Sequence, residues 1–181
     1  MNAEVAVEKQ TGNELVSSIG SVDISALAGK YLTFKLDDEH YGLEILRVQE
    51  IIGILPVTPV PRTPEYIRGV INLRGKVIVV TDLRLKLGMK SCEDTVRTCI
   101  IVVQIQHKDR MTTMGLIVDE VSEVMEIEAD QLEPTPEFGN SINVDFLFGI
   151  GKVASKVIML LDANKVLSAN DLDTISEASS R

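Results

Sequence analysis

The chain has 181 residues, enough for one domain or two small ones, and 45% of them are apolar, so a packed core needs neither metal nor disulfide. Only 4% are aromatic and Trp is absent, which leaves burial to Val, Ile and Leu and favours strands. A formal charge of −9 argues against long-range attraction to phosphate as the main function. Charge is unevenly spread: seven Lys or Arg lie between Arg62 and Lys90, and nine acids with no base between Asp119 and Asp145. Two solvated faces, or a molecule that docks in one orientation, both fit that pattern.

In chain order, residues 1–28 mix small and polar residues with weak periodicity and read as a flexible N-terminal tail with at most one helical turn. Alternation begins at YLTFKL (31–36), DDEH (37–40) reads as a turn, and YGLEIL (41–46) returns. VQEIIGIL (48–55) runs into PVTPVPRTP, whose prolines exclude a helix interior and a central strand. EYIRG (65–69) predicts a helical turn closed by Gly69. GVINL and KVIVV predict a hairpin with Arg74 and Gly75 at the bend, and Asp82 the N-cap of a short helix over LRLKLG. A polar linker (89–97) leads to a strand over TCIIVVQIQ, a turn at HKDR, and a bent strand over TMGLIVDEVSEVMEI. Residues 169–181 read as a flexible C-terminal tail.

The second half repeats the first. YIRGVINLRGKVIVVTDLRLKL from Tyr66 aligns without a gap on FLFGIGKVASKVIMLLDANKVL from Phe146, pairing Gly69 with Gly149 and Asp82 with Asp162. YGLEILRVQEII from Tyr41 parallels MGLIVDEVSEVM from Met114, and Thr58-Pro59 is matched with Thr135-Pro136. Two small strand-rich units that bury little alone must pack together or curl into barrels. Matched residues are then architectural, so both aspartates are caps rather than catalysts. Arg74-Gly75 becomes Ala154-Ser155 in the second copy, so the bend forms without arginine. That leaves the Arg74 guanidinium for a partner's carboxylate or carbonyl, with Glu50 a second polar residue inside an apolar run.

Catalytic chemistry finds little support. The acidic run DEVSEVMEIEAD lacks calcium-loop spacing, no GxSxG elbow is present, and His40 and His107 fall at turns. GIGKVA fits a dinucleotide fingerprint only on paper, with about thirty residues after it. Cys92 and Cys99 make neither a zinc quartet nor a CxxC pair, and free thiols fit a reducing cytosol. No secretory signal and no membrane-spanning run are read. A small β-barrel enzyme or a nucleic-acid or ligand-binding module remain as alternatives, the nucleic-acid one weakened because the basic segment has almost no aromatics to stack on.

NLRGKVIVVTDLR, with YGLEILRVQEI before it and GLIVDEVSEV and FLFGIG…VIMLLD after it, resembles the CheW family of bacterial chemotaxis coupling proteins over roughly residues 30–168. The resemblance implies a mainly β fold: two intertwined five-stranded SH3-like barrels around a shared core, within a domain spanning 29–168. It implies no catalytic activity and no cofactor. It implies a cytoplasmic adaptor, recruited to the inner face of the membrane, that links a chemoreceptor's helical hairpin to the regulatory domain of a CheA-type histidine kinase. A coupler in a non-flagellar pathway is the alternative within the family, and weak self-association or ring assembly is part of the same expectation. Carried over by residue, Val48, Glu50, Arg74, Ile100, Gly115 and Val118 would form the receptor groove, and Ile45 would face the kinase.

Overall fold

The computed structural model describes residues 23–137, 144–167 and 171–173. A 3-10 turn (Ile24–Leu27), capped by the Asp23 carboxylate accepting from the Ser25 N–H at 3.1 Å, precedes the first strand, so order begins a little before the predicted strand. The remaining N-terminal and C-terminal residues of the predicted tails lie outside the described residues.

Eleven strands follow among the described residues: β1 (Gly29–Leu36), β2 (Glu39–Glu44), β3 (Val48–Gly53), β4 (Ile67–Leu73), β5 (Lys76–Asp82), β6 (Cys99–His107), β7 (Arg110–Val118), β8 (Glu120–Ile127), β9 (Leu132–Glu133), β10 (Leu147–Val153) and β11 (Lys156–Leu161). Single helical turns, α1 (Leu83–Lys86) and α2 (Ala163–Val166), follow β5 and β11. Asp82 and Asp162 cap them, accepting from the Leu85 and Asn164 N–H groups. The fold is mainly β, in a six-stranded sheet of order β8-β1-β2-β11-β10-β9 and a five-stranded sheet of order β3-β6-β7-β5-β4.

The sheets do not coincide with the sequence copies. The first copy supplies β1 to β5 and the second the rest, yet each sheet takes strands from both. Two parallel pairings make the exchange. β5 lies beside β7 with Val79 opposite Met114 and Val80 opposite Gly115. β11 lies beside β2 with Met159 opposite Tyr41 and Leu160 opposite Gly42. These are the same pairs under the sequence alignment, so the repeat is a pseudo-two-fold with exchanged strands. All other strand pairs are antiparallel.

Burial follows the pleat. In β5, Val79 joins a main core shared by both sheets, while Ile78 and Val80 point into a smaller core with Ile71, Ile100, Val102 and Ile117. In β6, Ile101, Val103 and Ile105 take the shared side and Ile100 and Val102 the other. The six-stranded sheet encloses its own core of Tyr31, Ile127, Leu132, Ile158 and Leu160. Central strands are thus covered on both faces, which is why KVIVV and CIIVVQI read as continuous apolar runs rather than alternating ones.

Three expectations are corrected. Residues 67–69 are strand, not helix: Glu65 and Tyr66 form a turn closed by the Ile67 N–H on the Pro64 carbonyl at 3.0 Å, and Gly69 sits at a bulge in β4. The partner of Thr58 is Glu133, not Thr135. Thr58 pairs with Val70, and Glu133 with Ile150, the residue matched to Val70. The alignment slips by two there, which preserves the side-chain face and so leaves no mark in the apolar pattern. Residues 171–173 are helical rather than part of a loose tail. Leu172 is buried in the main core, and the Asp171 carboxylate accepts from the Tyr66 hydroxyl and from Lys86 Nζ (2.8 Å). Lys86 also sits 4.4 Å from the centre of the Tyr66 ring, and burial pulls its ammonium below the usual lysine range.

A Cβ added at Gly69, where φ is +146°, would meet the Thr58 carbonyl oxygen at 2.1 Å, whereas at Gly149 the corresponding Glu133 oxygen is 3.3 Å away. Gly69→Ala should therefore destabilise the fold by about 3 kcal/mol or more and Gly149→Ala by less than half as much, read from urea midpoints. Leu172→Ala should cost about 2–5 kcal/mol, where a residue in a loose tail would cost nothing measurable.

Candidate functional site

The β4–β5 hairpin turns through Arg74 (φ 55°) and Gly75 (φ 84°), a two-residue loop with both central residues left-handed. The Asn72 side-chain oxygen accepts from the Gly75 N–H at 2.8 Å and fixes the bend. The β10–β11 turn has the same backbone, with Ala154 at φ 48° and Ser155 at φ 63°. The scaffold makes this turn with either side chain, so the guanidinium is not what shapes it.

Arg74 is not idle, however. Its Nη2 and Nη1 donate to the two Glu50 oxygens at 2.8 and 3.2 Å, a bidentate pair. β3, which carries Glu50, and β4, which leads into the Arg74 turn, are the two outer strands of the five-stranded sheet, so the pair spans its open side. Its partners differ in exposure: 77% for the Arg74 side chain and 25% for Glu50. Such a pair contributes at most about 1 kcal/mol to stability, and a guanidinium has five N–H donors, of which two are engaged here.

Glu50 faces the way it does because β3 alternates. Val48, Glu50 and Ile52 are half-buried while Gln49, Ile51 and Gly53 are exposed. Val48 packs against the main core, and Ile52, Ile54, Leu55, Val57 and Leu73 pack partly exposed against the smaller core of this sheet. The ion pair therefore stands beside a band of half-covered aliphatic side chains.

The structure brings Val48, Glu50 and Arg74 to one surface and does not bring Ile100, Gly115 and Val118 with them. Ile100 and Val118 have no exposed surface, and Gly115 is buried. Their expected place lining a groove is corrected. β6 and β7 are inner strands of the sheet, covered on both faces: Ile100 and Gly115 lie beneath the half-covered band, in the smaller core, and Val118 faces the main core on the other side. Gly115 is what lets the smaller core close, since a Cβ there would lie 2.7 Å from Ile100 Cγ2 and 2.8 Å from Val80 Cγ1. Ile45 is half-buried against the main core, in a 3-10 turn (Ile45–Arg47), and the residue this turn exposes is Leu46, at 92%.

Sequence reasoning missed the internal use of the basic segment. Arg68 pairs with Asp82 (2.8 Å) and Asp94 (2.7 Å), Arg84 with Asp37 (2.7 Å) and Asp119, and Lys86 with Asp171. Burial works against the Arg68 charge, but the hydrogen bonds it donates to Asp94 and Asp82 outweigh it and hold the guanidinium above its usual range. With Arg74, four of the seven cations between 62 and 90 are thus engaged within the chain. Burial and the nearby Asp119 push the Cys92 thiol up, away from a reactive thiolate. Among the described residues no cluster of His, Cys, Asp or Glu could hold a metal, and no helix is long and apolar enough to cross a membrane.

A family model described as the CheW-like domain matches residues 30–171. The chain belongs to the CheW family. It is 35% identical over 158 residues to the chemotaxis protein CheW of Klebsiella aerogenes, covering 84% of this chain and 93% of that one. It is 36% identical over 147 residues to the probable chemotaxis protein CheW of Rhizobium etli, covering 81% and 90%. The crystal structure of the scaffolding protein TtCheW from Thermoanaerobacter tengcongensis superposes with a TM-score of 0.70 at 36% identity, over 80% of this chain and 95% of that one. The family is one of chemotaxis scaffolds, and this chain shares its two-sheet architecture and its coupling role.

Breaking the surface pair should leave the fold intact. Arg74→Ala and Glu50→Ala should each change unfolding free energy by no more than about 1 kcal/mol, and a double-mutant cycle should give a coupling of the same size.

Proposed function

We propose that this CheW-family chain is a non-catalytic adaptor that couples the cytoplasmic helical-hairpin tip of a transmembrane chemoreceptor to the regulatory domain of a CheA-type histidine kinase. The work is done in the cytoplasm, at the inner face of the membrane to which the receptors recruit it. The observation that carries the receptor half of this reading is the largely exposed Arg74 guanidinium, paired with Glu50 on a turn whose counterpart has alanine. Family membership supports the kinase half.

In this reading the hairpin lays an apolar helix stripe along the band formed by Ile52, Ile54, Leu55, Val57 and Leu73. A carboxylate or carbonyl on the hairpin then takes the donors of Arg74 that Glu50 leaves free. Glu50 keeps the guanidinium pre-oriented, so less side-chain entropy is lost on docking. Val48 sets the edge of the surface, while Ile100 and Gly115 from beneath it, and Val118 from the main-core face, keep β3 and β7 in register with β6. Signal passes because receptor states differ in how well they fit this surface, which biases the kinase. Three candidate polar side chains serve the scaffold: Asp82 and Asp162 cap helical turns, and His107 pairs with Asp173 at 2.9 Å.

Reversing the pair separates fold from function. Glu50→Arg combined with Arg74→Glu keeps an internal salt bridge and should keep wild-type stability. It should still weaken binding of a receptor hairpin fragment at least about tenfold, since a charge-assisted hydrogen bond is worth roughly 1.5–3 kcal/mol. Receptor-dependent kinase activation in a reconstituted mixture should fall with it. Unchanged binding and activation by this variant would rule out Arg74 as the receptor contact.

A further inference from the structure

The aspartates that cap α1 and α2 share a backbone duty but keep different company. Asp82 Oδ1 accepts from the Leu85 N–H, and its Oδ2 takes Arg68 Nη2 at 2.8 Å. Asp162 Oδ1 accepts from the Asn164 N–H at 2.9 Å, and no cation among the described residues pairs with this carboxylate. The gapless alignment of the two copies puts Phe148 where Arg68 stands. A second exchange accompanies it. Glu120, paired with Arg97 at 3.5 Å, is matched by Arg47, a base in place of an acid.

A hollow of about 180 Å³ lies where these exchanges meet. Leu27, Phe148 and Leu161 give it apolar walls, and Glu44, Arg47 and Asp162 put two acids and a base on the same lining. Glu44 and Arg47 pair neither with each other nor with any other charged group among the described residues. The Tyr31 hydroxyl donates to the Leu27 carbonyl at 2.5 Å and so fixes one wall. Burial first, and the Glu44 charge after it, push that hydroxyl up to about 12. In the other copy the chain lays its own guanidinium on the capping aspartate. Here it leaves space instead.

We propose that this hollow binds a free amino acid with an apolar side chain. The ligand's ammonium takes the role that the Arg68 guanidinium has in the other copy, against Asp162 and Glu44. Its carboxylate pairs with Arg47, whose planar donors suit one. Its side chain lies along Leu27, Phe148 and Leu161. A simple cation would leave Arg47 unmet, and a simple anion would leave both acids unmet. A small molecule carrying the two charges close together, with an apolar body, meets the whole lining. The hollow belongs to the six-stranded sheet and Arg74 to a hairpin of the other, so the receptor reading above neither supports nor depends on this site.

NMR titration of the isotope-labelled full chain tests the site with three probes of similar shape. L-leucine carries both charges, isoamylamine lacks the carboxylate, and isocaproate lacks the ammonium. L-leucine should bind saturably, with amide shifts centred on Glu44, Arg47 and Ala163. Each of the other two should bind at least about tenfold more weakly, since each forgoes a charge-assisted hydrogen bond. Arg47→Gln should close the gap between L-leucine and isoamylamine, because the carboxylate then has no cation to meet. Glu44→Gln should narrow the gap between L-leucine and isocaproate instead. Each variant alters one gap and keeps the other, which a misfolded chain could not do. Arg74→Ala should bind L-leucine as the parent chain does. Absence of saturable L-leucine binding would overturn the proposal. So would equal binding of the three probes, shifts centred away from the hollow, or a gap to isoamylamine that survives Arg47→Gln.

Discussion

Everything in this molecule hangs on two parallel strand pairings, β5 with β7 and β2 with β11. Each joins a strand of one sequence copy to a strand of the other. Neither copy can close its own sheet, and neither could bury enough apolar surface alone to offset the entropy of ordering it. The exchange also places a common core between the sheets, reached by alternate residues of the same strands that fill the two smaller cores. Helical turns α1 and α2 plug that shared core from the repeat-related positions, and residues 171–173 are drawn onto it through Leu172.

A repeated scaffold lets architecture and function be separated residue by residue. Where the copies agree, a backbone requirement is visible: Gly42 and Gly115 both face Cβ-sized intrusions from the parallel partner strand, and Asp82 and Asp162 both cap. Where they disagree, the residue is free of the fold and open to another use. Arg74 against Ala154 is one such place and Arg47 against Glu120 is another. Arg84 is the opposite case. It also differs from its counterpart, but it is buried and bound to Asp37 and Asp119, so its difference is absorbed inside the molecule. Divergence between copies is evidence of recruitment only when the side chain also reaches solvent.

Much of this was legible in the residues. The hairpin around Arg74-Gly75, the caps at Asp82 and Asp162, a bend within residues 113–127 and the two-fold repeat all have local signatures: turn residues, an N-cap aspartate before a short helix, and apolar spacing. What escaped was non-local. Strand exchange leaves no trace in the sequence, because a strand paired within its copy and one paired across copies carry the same apolar pattern. Ile100 and Val118 read as groove residues by resemblance, and only the covering of β6 and β7 on both faces shows them to be buried, Ile100 in the smaller core and Val118 in the main one. Leu172 sits alone among polar neighbours, so periodicity could not mark it as core. The pairing of Arg74 with Glu50 joins residues on opposite edges of a sheet, and spacing alone could not bring them together.

In the proposed coupling, Glu50 holds the Arg74 guanidinium ready and a partner completes it. The most direct test is to follow the Arg74 side-chain Nε–Hε signal by NMR while a receptor hairpin fragment is titrated into the isotope-labelled chain. The signal should shift in step with saturation, and its exchange with water should slow as the donors become enclosed. A hairpin that saturates the protein while the Arg74 signal stays where it was would contradict the proposed coupling.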